Sequence, residues 1–126
     1  MPPRRANRAG SARRIQTQNA VMTTLASPTQ GDTSVLSMWQ VDMRQGHCDS
    51  DHTVDSEQIW HVIRGELSIA IEQESVRLAV GDTLVVPEAV ARQVTALTDA
   101  TAVVCGFDDA AVAVLGEAGC TPAWIG

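Results

Sequence analysis

The sequence predicts an all-β domain, a sandwich or barrel of short strands, and three observations carry that prediction. Short apolar runs alternate with turn residues at 34–43, 57–63, 66–72, 75–80, 82–86, 91–97 and 100–107. Each run is of strand length and rich in Val, Ile or Thr, and several alternate in polarity, as half-buried strands do. The breaks between them carry explicit turn chemistry: Arg64-Gly65-Glu66 separates two runs, Gly81-Asp82 opens another, and Pro87 ends one. Strands of this length at near-even spacing describe a sandwich or closed barrel. Residues 108–117 (DDAAVAVLGE) are the one stretch suited to a short helix.

Length and composition set the frame. A chain of 126 residues is one domain with a real core and no room for a second. Aromatic residues make up only 3%, so Val, Leu, Ile and Ala must fill the core and each Trp is a conspicuous bulk. Residues 1–31 are polar, contain Arg, Ser and Thr, and lack hydrophobic periodicity. They read as a disordered tail without a catalytic role, ahead of a folded domain at 32–126. A targeting peptide, a nucleic-acid-binding arm, or an upstream start ahead of Met22 are the alternatives. Whether residues 1–21 belong to the mature protein stays open.

Charge and cysteine content exclude several function classes. Five of the nine Arg fall in the first 14 positions, leaving four against all fifteen carboxylates in residues 22–126, a net of −11. A body that acidic repels nucleic acid and anionic lipid. No run approaches the roughly 20 apolar residues of a membrane helix, and no apolar stretch precedes a cleavage-like site. Three cysteines (Cys48, Cys105 and Cys120) without CxxC spacing read as reduced thiols. A cytoplasmic protein is the expectation.

Two spaced sets of residues name a family. Gly46, His52, Val54, Gln58 and Gly65 form the first, and Gly81, Pro87, Ala89, Arg92 and Ala96 the second. With both sets in register, and with the phrases 57–67 (EQIWHVIRGEL) and 80–87 (VGDTLVVP), the chain resembles small single-domain cupins of the conserved-barrel type over about residues 35–107. The resemblance implies a double-stranded β-helix, that is, a jelly-roll-like antiparallel barrel, and a homodimer. It also implies metal ligands, two His, a Glu or Gln and one further His, at the positions held here by His52, Val54, Gln58 and Arg92. Val has no donor atom, and Arg is a permanent cation without a lone pair. Two donors of four fall short of the three or more protein ligands a divalent transition metal generally takes. No cofactor is favoured. If a metal binds, His52 and Gln58 hold it, with Fe, Mn, Ni or Zn as the alternative. A shifted site could borrow from His47, Cys48, Asp49, Asp51, Asp55 or Glu57, although a solvated acidic loop at the barrel rim explains these residues more simply.

The remaining positions suggest chemistry without a metal. His52 is a candidate general acid/base, or a histidine hydrogen-bonded at the barrel mouth. A guanidinium inside a barrel needs a counter-charge. Arg92 therefore faces either a ligand carboxylate, phosphate or enolate, or a protein acid such as Asp55 or Glu57. Gln58 orients a polar ligand or pairs with His52 or Arg92. Trp60 shares strand parity with Gln58 and lines the same cavity, stacking on a ligand or filling core. Val54 adds apolar wall. His61 has the opposite parity and faces outward. Trp39 and Trp124 read as packing residues, and Cys105 as a small buried one. No nucleophilic triad order, phosphate loop or nucleic-acid motif appears.

The function that follows is a metal-independent cupin enzyme moving a proton on a small organic substrate, with an anion among the candidates. The reaction is an isomerisation, cyclisation or lyase-type elimination. His52 moves the proton, Arg92 stabilises developing negative charge, and Gln58, Trp60 and Val54 place the substrate. A role in secondary metabolism follows only by analogy with other small cupins. The alternatives are a metal-dependent dioxygenase of quercetinase-like type and a non-catalytic small-molecule-binding cupin.

Overall fold

The computed structural model describes residues 4–114 and 118–126. A 3-10 turn at Ala9–Ser11 precedes the strands β1 (Arg13–Gln16), β2 (Val21–Ala26), β3 (Leu36–Met43), β4 (His52–Val54), β5 (Gln58–Arg64) and β6 (Leu67–Ile71). They continue as β7 (Glu74–Leu78), β8 (Thr83–Val86), β9 (Arg92–Ala96), β10 (Ala100–Phe107) and β11 (Val112–Val114). One sheet has six strands in the order β1-β2-β3-β10-β5-β8, the other five in the order β11-β4-β9-β6-β7. Every pairing between these strands is antiparallel.

Alternation decides which side chains meet between the sheets. On β5, Gln58, Trp60 and Val62 are buried while Ile59 and Ile63 are exposed. On β3, Trp39, Val41 and Met43 point in. From the other sheet Leu67 and Ile69 of β6 face Ala96 and Val94 of β9 in register, and all four are almost fully buried. The turn from β5 to β6 depends on Gly65. Its φ is +69°, and a Cβ there would lie 2.0 Å from the Asp99 backbone oxygen. Only glycine combines that conformation with that close approach.

The seven runs read from the sequence correspond to β3, β5, β6, β7, β8, β9 and β10, and two other expectations change. The segment read as a disordered tail through residue 31 contains β1 and β2, which extend the larger sheet beyond β3. Polar composition concealed them because the buried residues of β2, Thr23 and Thr24, are polar. Thr24 is fully buried, and its hydroxyl donates to the Trp124 carbonyl at 2.8 Å. The stretch suited to a short helix instead contains β11, whose Val112 and Val114 pair with Val54 and His52. An open strand edge outweighs weak local helix preference there. The last three positions of that stretch, 115–117, lie outside the described residues. Among the described residues no helix is long and apolar enough to cross a membrane.

Candidate functional site

A cavity of about 320 Å³ lies between the two sheets. Met22 of β2 and Trp39, Val41 and Met43 of β3 form one wall, with Gln58 and Trp60 of β5 beside them. His52 and Val54 of β4 and Val112 and Val114 of β11 form the opposite wall. The Thr17–Ala20 turn between β1 and β2, the Asp49–Ser50 segment and Trp124–Ile125 complete it. The turn is held tightly: the Thr17 hydroxyl accepts from the amides of Asn19 and Ala20 and donates to the Ala20 carbonyl.

Four of the five residues singled out from the sequence, His52, Val54, Gln58 and Trp60, line this cavity. The His52 Nδ1 donates to the Ser50 carbonyl at 2.7 Å, because a carbonyl can only accept. In the neutral ring this places the proton on Nδ1 and leaves Nε2 as the basic nitrogen. Gln58, 3% exposed, accepts at Oε1 from the Trp60 indole N–H at 3.4 Å. Its Nε2 has no hydrogen-bond partner among the described residues and remains a donor for something else. His61 lies on the outer face as parity predicted, with its Nδ1 2.7 Å from the Thr83 hydroxyl.

Arg92 departs from expectation. It is directly opposite His52 in the β4–β9 register and is 1% exposed, so the inward placement holds. Its guanidinium, however, turns away from the cavity wall to the β8–β9 connection, where Nη2 donates to the carbonyls of Pro87 at 2.7 Å and Val90 at 3.2 Å. Nε donates to Val90 as well, and Nη1 is buried without a partner among the described residues. No carboxylate pairs with it in a salt bridge among the described residues, so the expected partners Asp55 and Glu57 do not serve. Asp55 instead accepts from the Ala111 amide at 2.9 Å, pinning the start of β11. Burial lowers the Arg92 pKa from its ordinary value, and the nearby Asp49 carboxylate partly opposes that shift.

The residue that sequence reasoning placed at a solvated rim is Asp49, and it belongs to the cavity. Its Oδ1 accepts from the Val94 amide at 2.6 Å, and Oδ2 lies 3.8 Å from His52 Nδ1. Burial pushes its carboxyl up to about 6, against the Val94 N–H and His52, which pull it down, while Asp51 pushes it up. No local pattern signals this, because the anchoring amide lies 45 residues downstream. Trp39 and Trp124, read as packing residues, also line the cavity. For Trp39 a signal existed, since it shares strand parity with Val41 and Met43. Cys105, expected to be buried, is half-exposed on the outer face between Met38 and Ile59.

The donor set does not fit a divalent transition metal. Val54 offers no ligand atom, and Arg92 places a cation immediately behind His52. Among the described residues no group of three or more His, Cys, Asp and Glu side chains comes within ligating reach. Of the residues from which a shifted site would borrow, Asp49 and Asp55 are engaged with backbone amides and Cys48 accepts from the Thr95 hydroxyl.

No family model and no curated protein matches the sequence. The fold, by contrast, has clear likenesses among solved structures. KdgF from Halomonas sp. superposes with a TM-score of 0.71 at 20% identity, covering 82% of this chain and 92% of that one. An RmlC-like cupin from Shewanella frigidimarina gives 0.70 at 16% identity, covering 81% and 88%. Salicylate 1,2-dioxygenase from Pseudoaminobacter salicylatoxidans, with gentisate, gives 0.71 at 17% identity, covering 82% of this chain but 31% of that longer one. Similarity at this level of identity is a statement about fold. The chain is a small all-β protein with the cupin fold.

Proposed function

We propose that the protein is a metal-independent enzyme that moves a proton on a small organic molecule bound in the barrel cavity. The observation that carries this reading is the Nδ1 hydrogen bond of His52 to Ser50, which leaves Nε2 as a base on the cavity wall. Asp49, with its carboxyl near 6, stands beside it as a second group able to give or take a proton close to neutrality. The sequence reading gave Arg92 the task of stabilising developing negative charge. The free Gln58 amide donor is the better candidate, because it faces the cavity and the guanidinium does not. Trp60 and Val54 form the apolar wall against which the substrate rests. Isomerisation, ring closure and elimination all begin with this step: Nε2 takes a proton, and the imidazolium, whose N–H exchanges with solvent, then gives a proton to another atom of the substrate or to a leaving group. A place in secondary metabolism is part of this reading by analogy, and the gentisate held by one similar fold supports a small organic ligand.

Solvent-deuterium incorporation into a panel of C–H-acidic ketones, followed by NMR, tests the proposal. His52→Ala should slow enzyme-dependent exchange by about 10²–10⁴ with the fold retained. Equal exchange in both proteins would overturn it. So would stoichiometric metal in untagged protein whose chelation abolishes the activity, the outcome that the dioxygenase alternative predicts.

The homodimer and the cytoplasmic location belong to the same proposal. Met38, Cys105, Ile59 and Val85 form one row across β3, β10, β5 and β8 on the outer face, with Leu36 paired to Phe107 beside it. Most of these side chains are exposed, and none is charged. Two copies can therefore appose this face without bringing like charges together in an otherwise acidic chain. Sedimentation should give twice the chain mass, and a single-chain mass at micromolar concentration would remove the dimer. Cys48, Cys105 and Cys120 are free thiols.

A further inference from the structure

Resting on the proton-transfer reading of the same cavity, we infer that the ligand is an uncharged, flat ring compound bearing a carbonyl or similar acceptor, and that carboxylates are excluded. The chain contains three tryptophans and no tyrosine. All three, from β3, from β5 and from the Trp124 segment, converge on this one cavity. Elsewhere the core is filled by Val, Leu, Ile and Ala. Bulk alone does not explain the concentration, since aliphatic side chains fill the rest of the interior without aromatic help. Indole rings offer broad, flat, polarisable faces, and a flat ring meets them over the largest area. A cavity of about 320 Å³ is at the small end for organic ligands and suits one or two rings.

The polar groups narrow the class further. Among the described residues no Arg lines the cavity, and the guanidinium of Arg92 donates to Pro87 and Val90. Among the described residues the ionisable groups on the wall are Asp49 and His52. At pH 8, with Asp49 ionised, a ligand carboxylate would sit beside the Asp49 carboxylate, and the Arg92 guanidinium, committed to the Pro87 and Val90 carbonyls, does not reach the wall to pair with it. Like-charge repulsion and desolvation both oppose such a ligand. Gln58, with its oxygen engaged by Trp60, presents an N–H to a ligand acceptor. These features fit a neutral ring ketone, lactone or enone better than a gentisate-like anion.

Three probes of similar size test the class at pH 8: coumarin (flat and neutral), coumarin-3-carboxylate (flat and anionic) and 1-decalone (neutral and puckered). Affinities come from calorimetry, and binding is located by tryptophan emission, which in this protein reports only on residues of the cavity wall. Coumarin should bind at least tenfold more tightly than either other probe and change the emission. In His52→Ala the same order should hold, because the wall and Asp49 set it. Carboxylate or decalone binding as tightly as coumarin overturns the inference, and so does absence of coumarin binding. If the order holds while His52→Ala leaves deuterium exchange unchanged, proton transfer fails alone. If the order fails while exchange is lost in that variant, the ligand class fails alone.

Discussion

The barrel interior has two parts built from different residues. Around Val62, Leu67, Ile69, Val94, Ala96 and Ala102 the sheets meet through aliphatic side chains that are almost completely buried. Around Trp39, Trp60 and Trp124 the sheets do not meet, and the larger side chains border open space with Asp49, His52 and Gln58 among them. Small branched residues interdigitate and exclude everything else. Large rigid ones, standing with carboxylate, imidazole and amide, wall a space that a ligand can enter. The fully buried aliphatic side chains are concentrated in the first part, and the polar side chains of the cavity in the second.

The largest expected effect tests that division directly. Ile69→Ala, in the filled part, should cost about 2–5 kcal/mol of unfolding free energy in urea, the usual range for deleting such a volume from a packed core. Met22→Ala, at the cavity wall and only partly buried, should cost less than about 1.5 kcal/mol, because one side of its side chain already lacks packing partners. Equal losses would show that the cavity wall bears as much of the fold as the filled part does.

A smaller effect sharpens the comparison through pH. Asp49 has its carboxyl raised from 3.8 to about 6 by burial. Between those values the folded protein holds a proton that the unfolded chain has released. Its contribution is therefore complete below about pH 4 and is lost as pH rises through about 6. Asp49→Asn removes the titration and can still accept from Val94. Relative to wild type the variant should gain about 1 kcal/mol on going from pH 4 to pH 8, after allowance for partial exposure. Thermal unfolding of both proteins at the two pH values measures it. A constant difference would show that Asp49 is solvated like an ordinary surface carboxylate.

The filled part was legible in the sequence and the open part only in outline. Strand periodicity gives β5, β6, β9 and β10 because most of their inward residues are apolar. Parity alone puts Gln58 and Trp60 on one wall and His61 on the other face. What escaped depends on partners far along the chain. Thr24 belongs inside only because Trp124, 100 residues later, supplies its acceptor. Asp49 belongs to the cavity only because β9 offers the Val94 amide. Arg92 was correctly turned inward by register, but its side chain is long enough to choose among acceptors. The nearby carbonyls of Pro87 and Val90 outcompeted any carboxylate, and turn geometry of that kind is not written in residue type.

The Trp124 segment carries a consequence of its own. The carbonyls of Trp124 and Ile125 accept from Thr24 at 2.8 Å and Ser37 at 2.7 Å, and the Thr29 hydroxyl donates to Gly126 at 2.8 Å. One wall of the cavity is therefore fastened by hydroxyl contacts, a backbone bond to Gly126 and the buried Ile125 side chain, outside the ladders that hold the sheets. Such a segment can detach in a local opening while both sheets remain intact. A molecule resting on Trp124 must then protect the amides of 122–126 from exchange, and each added contact there slows its own departure. Occupancy and closure of this latch are two readings of a single equilibrium.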